Sequence, residues 1–206
     1  MKKLNLGRMT RLAILAAILL LMAFTPLGYL KIGPFSMTLL MIPVAIGAIV
    51  LGPGAGLFLG TLFGLTSMIQ CFGMDLFGTA LMTANPIGMI ITTLVTRMLM
   101  GWLCGLIFKA FDRPQKPALR ITGTFVASLS SAVLNTILFL SMLTVFFLHD
   151  PTFVETFGIS DFGFSAVIVT FAVGLGLQAL FEALITAAVG GAVSSALFRF
   201  DKSVRK

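Results

Sequence analysis

Residues 86–109, PIGMIITTLVTRMLMGWLCGLIFK, form one long apolar run that ends at Lys109 and carries one further cation, Arg97, at its middle. Coiled as a helix, a run of this length crosses a hydrocarbon core about 30 Å thick. At 1.5 Å rise per residue Arg97 lies ~18 Å from both Asn85 and Lys109, close to the midplane. A charge at that depth costs roughly 2.5–3.5 kcal/mol even on the lenient insertion scale, so it calls for a partner, water or a ligand.

The rest of the chain repeats the pattern. Of 206 residues, 58% are hydrophobic and only 10% charged, well below the roughly 25% charge of soluble domains. Apolar runs at about 9–28, 37–51, 54–71, 86–109, 119–148 and 164–198 predict an all-α membrane protein of six transmembrane helices forming a single integral domain over 1–206. The joint Leu51-Gly52-Pro53-Gly54 breaks the helix where the chain must reverse between the second and third runs.

The net charge of +7 does not form a face for nucleic acid. It divides among Lys2, Lys3, Arg8 and Arg11, then Lys109, Arg113, Lys116 and Arg120, then Arg199, Lys202, Arg205 and Lys206. Basic clusters beside spans mark the cytoplasmic side, and with six spans all three fall there, so both termini are expected to be cytoplasmic. The 149–163 segment, with His149, Asp150, Glu155 and Asp161, then lies outside, as does the 72–85 loop. The apolar run from Leu12 to Phe24 has no clear small-x-small cleavage pattern after it and reads as a retained first helix, not a signal peptide.

Three more polar side chains share the depth of Arg97. Asn135 lies ~22 Å from Arg120 by helix rise, Glu182 ~26 Å from Phe164 and from Arg199, and Gln178 stands one turn from Glu182 on the same face. If the three helices turn these groups together, they line a chamber for a small polar or anionic molecule. The competing reading is an internal Arg97–Glu182 ion pair that only holds helices together. Near the outer surface, Gly28 to Ser36 is too broken for a helix and too apolar for a solvent loop, which suggests a lid-like loop after the first helix. Gln70 to Asp75 has the same character, and at Asn85-Pro86 the pre-proline geometry lets the Asn85 side chain turn inward.

Other chemistries find little support. Cys71 and Cys104 sit about half a bilayer apart and read as packing residues. With one His and two separated Cys, a structural zinc site is not expected, and phosphate-binding glycine motifs are missing from the sequence. A membrane enzyme would call for paired carboxylates or a metal cluster. A stand-alone secondary transporter using Glu182 as a proton site is the remaining rival, although the sequence shows no clear internal repeat. Small-residue strips at Ala13 and Ala17, and at Gly56, Gly60 and Gly64, mark places where helices approach closely.

These features together resemble a known family. The six runs, the Ala13-x-x-x-Ala17 strip, the first-span ending Phe24-Thr25-Pro26-Leu27-Gly28-Tyr29, the segment from Ile42 through Gly52-Pro53-Gly54-Ala55-Gly56, and Phe63-Gly64-Leu65-Thr66-Ser67 are similar to the substrate-binding S components of energy-coupling factor (ECF) vitamin transporters, in particular the pantothenate subgroup.

The resemblance implies a multi-pass subunit of a bacterial cell membrane that binds a vitamin from outside and then joins a transmembrane coupling protein and two cytoplasmic ATPases. ATP and Mg would be used by those partners, with no cofactor held by this chain. It also implies that Ala13 and Ala17 face the coupling protein and that the loops after helices one and three cover the ligand. For an anionic vitamin such as pantothenate, Arg97 would take the carboxylate, Asn135, Gln178 and Asn85 the amide and hydroxyls, and Glu182 a hydroxyl or Arg97 itself. Tyr29 and Phe72 would pack against the ligand, whereas Trp102 lies toward the inner side as an interfacial or core aromatic.

Overall fold

The computed structural model describes residues 6–32, 35–113, 115–147 and 177–200. Helix α1, Leu6–Ala23, stops five residues before the expected end at 28. Its last turn tightens, with Thr25 N–H donating to Met22 O, and Pro26 cannot supply the N–H that would continue the ladder.

The chain then forms an antiparallel hairpin, β1 Tyr29–Ile32 and β2 Phe35–Thr38, with Tyr29 opposite Thr38 and Ile32 opposite Phe35. This corrects the purely all-α expectation: the lid-like segment is ordered strand pairing, and the second helix begins at Met41 instead of 37.

Helix α2, Met41–Leu51, is buried along nearly its whole length. At Gly52 the backbone takes φ +94°, a conformation open to glycine but strained for other residues. Pro53 then opens α3, Pro53–Gln70, at a position where the missing N–H costs nothing. The predicted break at 51–54 is therefore a reversal between two packed helices.

The 72–85 stretch, read as a loop, contains a further helix, α4, Leu76–Ala84. Asp75 caps it by accepting from Gly78 N–H at 2.7 Å. Asn85 then caps α5, Pro86–Phe111, by accepting from Gly88 N–H at 2.9 Å. Two caps in one short stretch are a sequence-visible helix signal, although at 9 residues α4 is too short to form a span. Helix α6 spans Pro117–Phe147 and α7 spans Leu177–Phe200. The expected start of the last span at 164, together with the 149–163 segment, lies outside the described residues.

By length and composition α1, α5, α6 and α7 can each cross a membrane, and α2 is a shorter apolar helix. Helix α3 equals α1 in length, at 18 residues.

Helices α3 and α5 form the closest pair. A side chain added at Gly56 would collide with the Gly101 carbonyl, one at Gly60 with the Arg97 carbonyl, and one at Gly105 with Pro53. The two backbones are thus in direct contact, the arrangement that small residues permit between membrane helices. Helix α6 packs against both α5 and α7, and α2 is covered by α3, α5, α6 and α7.

At the end opposite the hairpin, Arg120 pairs with Asp112 at 2.8 Å and lies 3.9 Å from the Phe198 ring centre. Phe198 stacks on Phe108 at 5.4 Å. Arg8 ties α1 to the carbonyl of Leu51 at 2.7 Å.

Candidate functional site

Arg97 is 7% exposed. Its position follows from the glycine contacts, because Gly60 admits the Arg97 backbone directly against α3. Its guanidinium carbon lies 4.3 Å from the Phe139 ring centre on α6 and 5.4 Å from that of Phe63 on α3. One terminal nitrogen donates to Thr96 Oγ1 at 3.0 Å and to Thr92 O at 3.3 Å. The Nε is buried and has no hydrogen-bond partner among the described residues. Two ring faces and a threonine turn lower the cost of burying this cation, yet they do not use all of its donors.

Among the described residues no ion pair within 4 Å joins Arg97 to Glu182. Tyr29, Cys71 and Glu182 are the ionisable groups that share the electrostatic surroundings of the guanidinium. The internal pair weighed in the sequence is therefore not formed as a direct contact. Glu182, 5% exposed, instead accepts from the backbone N–H of Thr38, the last residue of β2, at 2.7 Å.

Opposite Thr38, Tyr29 shares a hydrogen bond with Ser67 of α3 at 3.0 Å. Burial pushes the Tyr29 phenol above its ordinary value of 10, a rise that its hydroxyl neighbours only partly offset. The phenol therefore stays neutral near pH 7. Gln70 reinforces this corner by donating to Ala23 O at 3.0 Å.

Asn135, 6% exposed, lies one helical turn from Phe139 on α6, and its side-chain oxygen has no hydrogen-bond partner among the described residues. Beneath these polar groups, Phe63, Met100, Ala132 and Ala183 join Leu40 and Met41 in one apolar cluster. Tyr29 and Glu182 thus each bond at the base of the hairpin and lie within electrostatic reach of Arg97, next to this apolar cluster.

The remaining expected residues fall elsewhere. Asn85 is half-buried and its oxygen is spent on the α5 cap. Phe72 is 66% exposed beyond the end of α3. Gln178 lies in the first turn of α7, and its side chain is outside the described residues. Ala13 and Ala17 lie on the exposed face of α1, while Leu12, Leu15 and Ala16 turn inward. Cys71 and Cys104 are buried and free.

Phe63, Phe139, Ser67 and Thr38 were not singled out as candidates from sequence. Phe139 was within reach, since it sits four residues from Asn135 on one helical face. The Thr38 contact had no local signal, because its acceptor is 144 positions away.

Comparisons with known proteins agree with this architecture. The family "ECF transporter, substrate-specific component" matches residues 7–194. A relative described as pantothenate transporter PanT, from Leuconostoc mesenteroides subsp. mesenteroides, is 31% identical over 126 residues, which cover 59% of this chain and 60% of the relative. The solved structure of ThiT from Listeria monocytogenes shares the fold with a TM-score of 0.60 at 20% identity, over 98% of both chains. A family match over nearly the whole chain, on a fold shared end to end with ThiT, makes this protein a member of the ECF transporter substrate-specific components, a multi-pass membrane transport subunit and not an enzyme.

Proposed function

We propose that this chain binds pantothenate from outside the cell and serves as the substrate-specificity subunit of an ATP-driven ECF transporter. The observation that carries the reading is Arg97: a buried guanidinium lying 4.3 Å from the Phe139 ring centre, whose Nε donor has no partner among the described residues. Such a group suits a ligand carboxylate, which supplies both the opposite charge and paired acceptors. The Asn135 oxygen, without a partner among the described residues, suits a ligand hydroxyl or amide N–H. The partial match to a pantothenate transporter supports the same vitamin.

In this reading the chain crosses the membrane six times, with both termini in the cytoplasm, and the hairpin closes the outer mouth of the site. A membrane coupling protein and two cytoplasmic ATPases would supply the energy, with ATP and Mg used there. The test is calorimetric titration of the purified protein with pantothenate, beside mass spectrometry of whatever small molecule copurifies. Saturable one-to-one binding is expected. A different copurifying vitamin, with no response to pantothenate, overturns the substrate assignment.

A further inference from the structure

The register of the hairpin decides where its edge donors point. In an antiparallel pair, opposed residues alternate between those that exchange backbone hydrogen bonds and those that do not. Leu39 N–H donates to Gly28 O at 3.1 Å, one rung beyond the Tyr29–Thr38 pair. Tyr29 and Thr38 therefore form a non-bonded rung, and the Thr38 N–H faces away from β1. Thr38 is buried, and a buried edge N–H needs an acceptor. Glu182 supplies it at 2.7 Å. The opposed residue, Tyr29, is fastened to Ser67. A single rung at the base of the hairpin is thus anchored to two helices, α3 on one side and α7 on the other.

We propose that Glu182 is a lid-positioning residue: its carboxylate latches the hairpin over the ligand site through the Thr38 amide, and so sets how long the ligand stays bound. The proposal rests on the reading above that the ligand lies beneath the hairpin. It moves Glu182 from a group that touches ligand to one that acts through the lid. The backbone donor cannot be changed by a side-chain substitution at residue 38, except to proline.

The experiment combines three variants and two readouts. Glu182→Ala removes the acceptor, Thr38→Pro removes the donor without touching a ladder bond, and Glu182→Gln keeps an acceptor oxygen. Loss of a hydrogen bond to a charged group predicts a pantothenate dissociation rate about tenfold to a hundredfold faster in Glu182→Ala and Thr38→Pro. Their association rates should stay within about threefold of the parent, since such losses act mainly on dissociation. The double variant should be no worse than the worse single, because both remove one contact. Glu182→Gln should recover most of the residence time.

Hydrogen exchange over residues 35–40 of the ligand-free protein reads the latch without any ligand. It should quicken in Glu182→Ala and stay slow in Glu182→Gln. If Glu182→Ala loses affinity while exchange over 35–40 is unchanged, Glu182 contacts ligand directly and the latch is overturned. Additive effects of the Ala and Pro variants overturn it as well. If the parent protein does not bind pantothenate, the substrate reading fails and the exchange result alone decides the latch. If Glu182→Ala does not fold, Thr38→Pro against Glu182→Gln still decides it.

Discussion

Arg97 and Phe139 face each other across the α5–α6 contact, with the guanidinium carbon 4.3 Å from the ring centre. The cation thus lies against the π face of a ring, while its Nε donor has no hydrogen-bond partner among the described residues. A desolvated contact of this type contributes about 2 kcal/mol, which helps hold the guanidinium in place before any ligand arrives.

Arg97→Ala should therefore weaken pantothenate binding at least about thirtyfold, the lower end expected for removing one partner of a buried charge pair. Arg97→Lys should fall between, because an ammonium keeps the charge but loses the planar fork. Isothermal titration checks both, and undiminished affinity in Arg97→Ala removes the carboxylate assignment.

Asn135 separates a binding role from a structural one. Replacing a buried amide whose oxygen has no partner among the described residues with a similar apolar group is expected to leave stability nearly unchanged or raised. Asn135→Leu should accordingly keep its thermal midpoint in detergent while losing affinity about tenfold, the effect of one ligand hydrogen bond and its unmet partner. A large fall in the midpoint would make Asn135 a structural residue instead.

Glycine substitutions test the backbone contact between α3 and α5. Gly101→Ala drives a methyl group into the Gly56 carbonyl, and overpacking of this kind costs about 1–3 kcal/mol or more. Its thermal midpoint should fall by several degrees. Gly54→Ala, where nothing lies within 4 Å of the added carbon, is the control and should hold its midpoint.

The outward face of α1 gives a prediction about assembly. Ala13 and Ala17 are exposed and contribute little to the packing of the chain, so Ala17→Trp should leave pantothenate affinity within about twofold of the parent, as surface changes usually do. Co-purification with the coupling protein, and uptake by cells carrying the whole complex, should be lost. Normal co-purification would place the coupling surface elsewhere.

The sequence carried the helices and the polar residues at depth, because both rest on local quantities: run length, helix rise and the cost of charge in hydrocarbon. Arg97, Asn135 and Glu182, all buried, stand out in the sequence for that reason. The hairpin was not, since a Gly- and Pro-containing apolar stretch suits several conformations until another element supplies acceptors for its outward N–H groups. Helix α4 was missed for a different reason: nine residues are too few to register as a span, although Asp75 and Asn85 announce its neighbourhood as caps. The partner of Glu182 could not be read at all, because a backbone donor leaves no mark on residue identity.

The glycine seam also apportions the freedom to adapt. Where two main chains touch, neither can slide without breaking both, so α3 and α5 behave as a rigid chassis carrying Phe63 and Arg97 on it. Adjustment to solutes of different length must then come from α6 and α7, where Gly190 and Gly191 meet the side chains of Ser128 and Phe125 and not a main chain. Within the family, changes in cargo should accordingly collect on that softer half, with the cationic anchor left where it is.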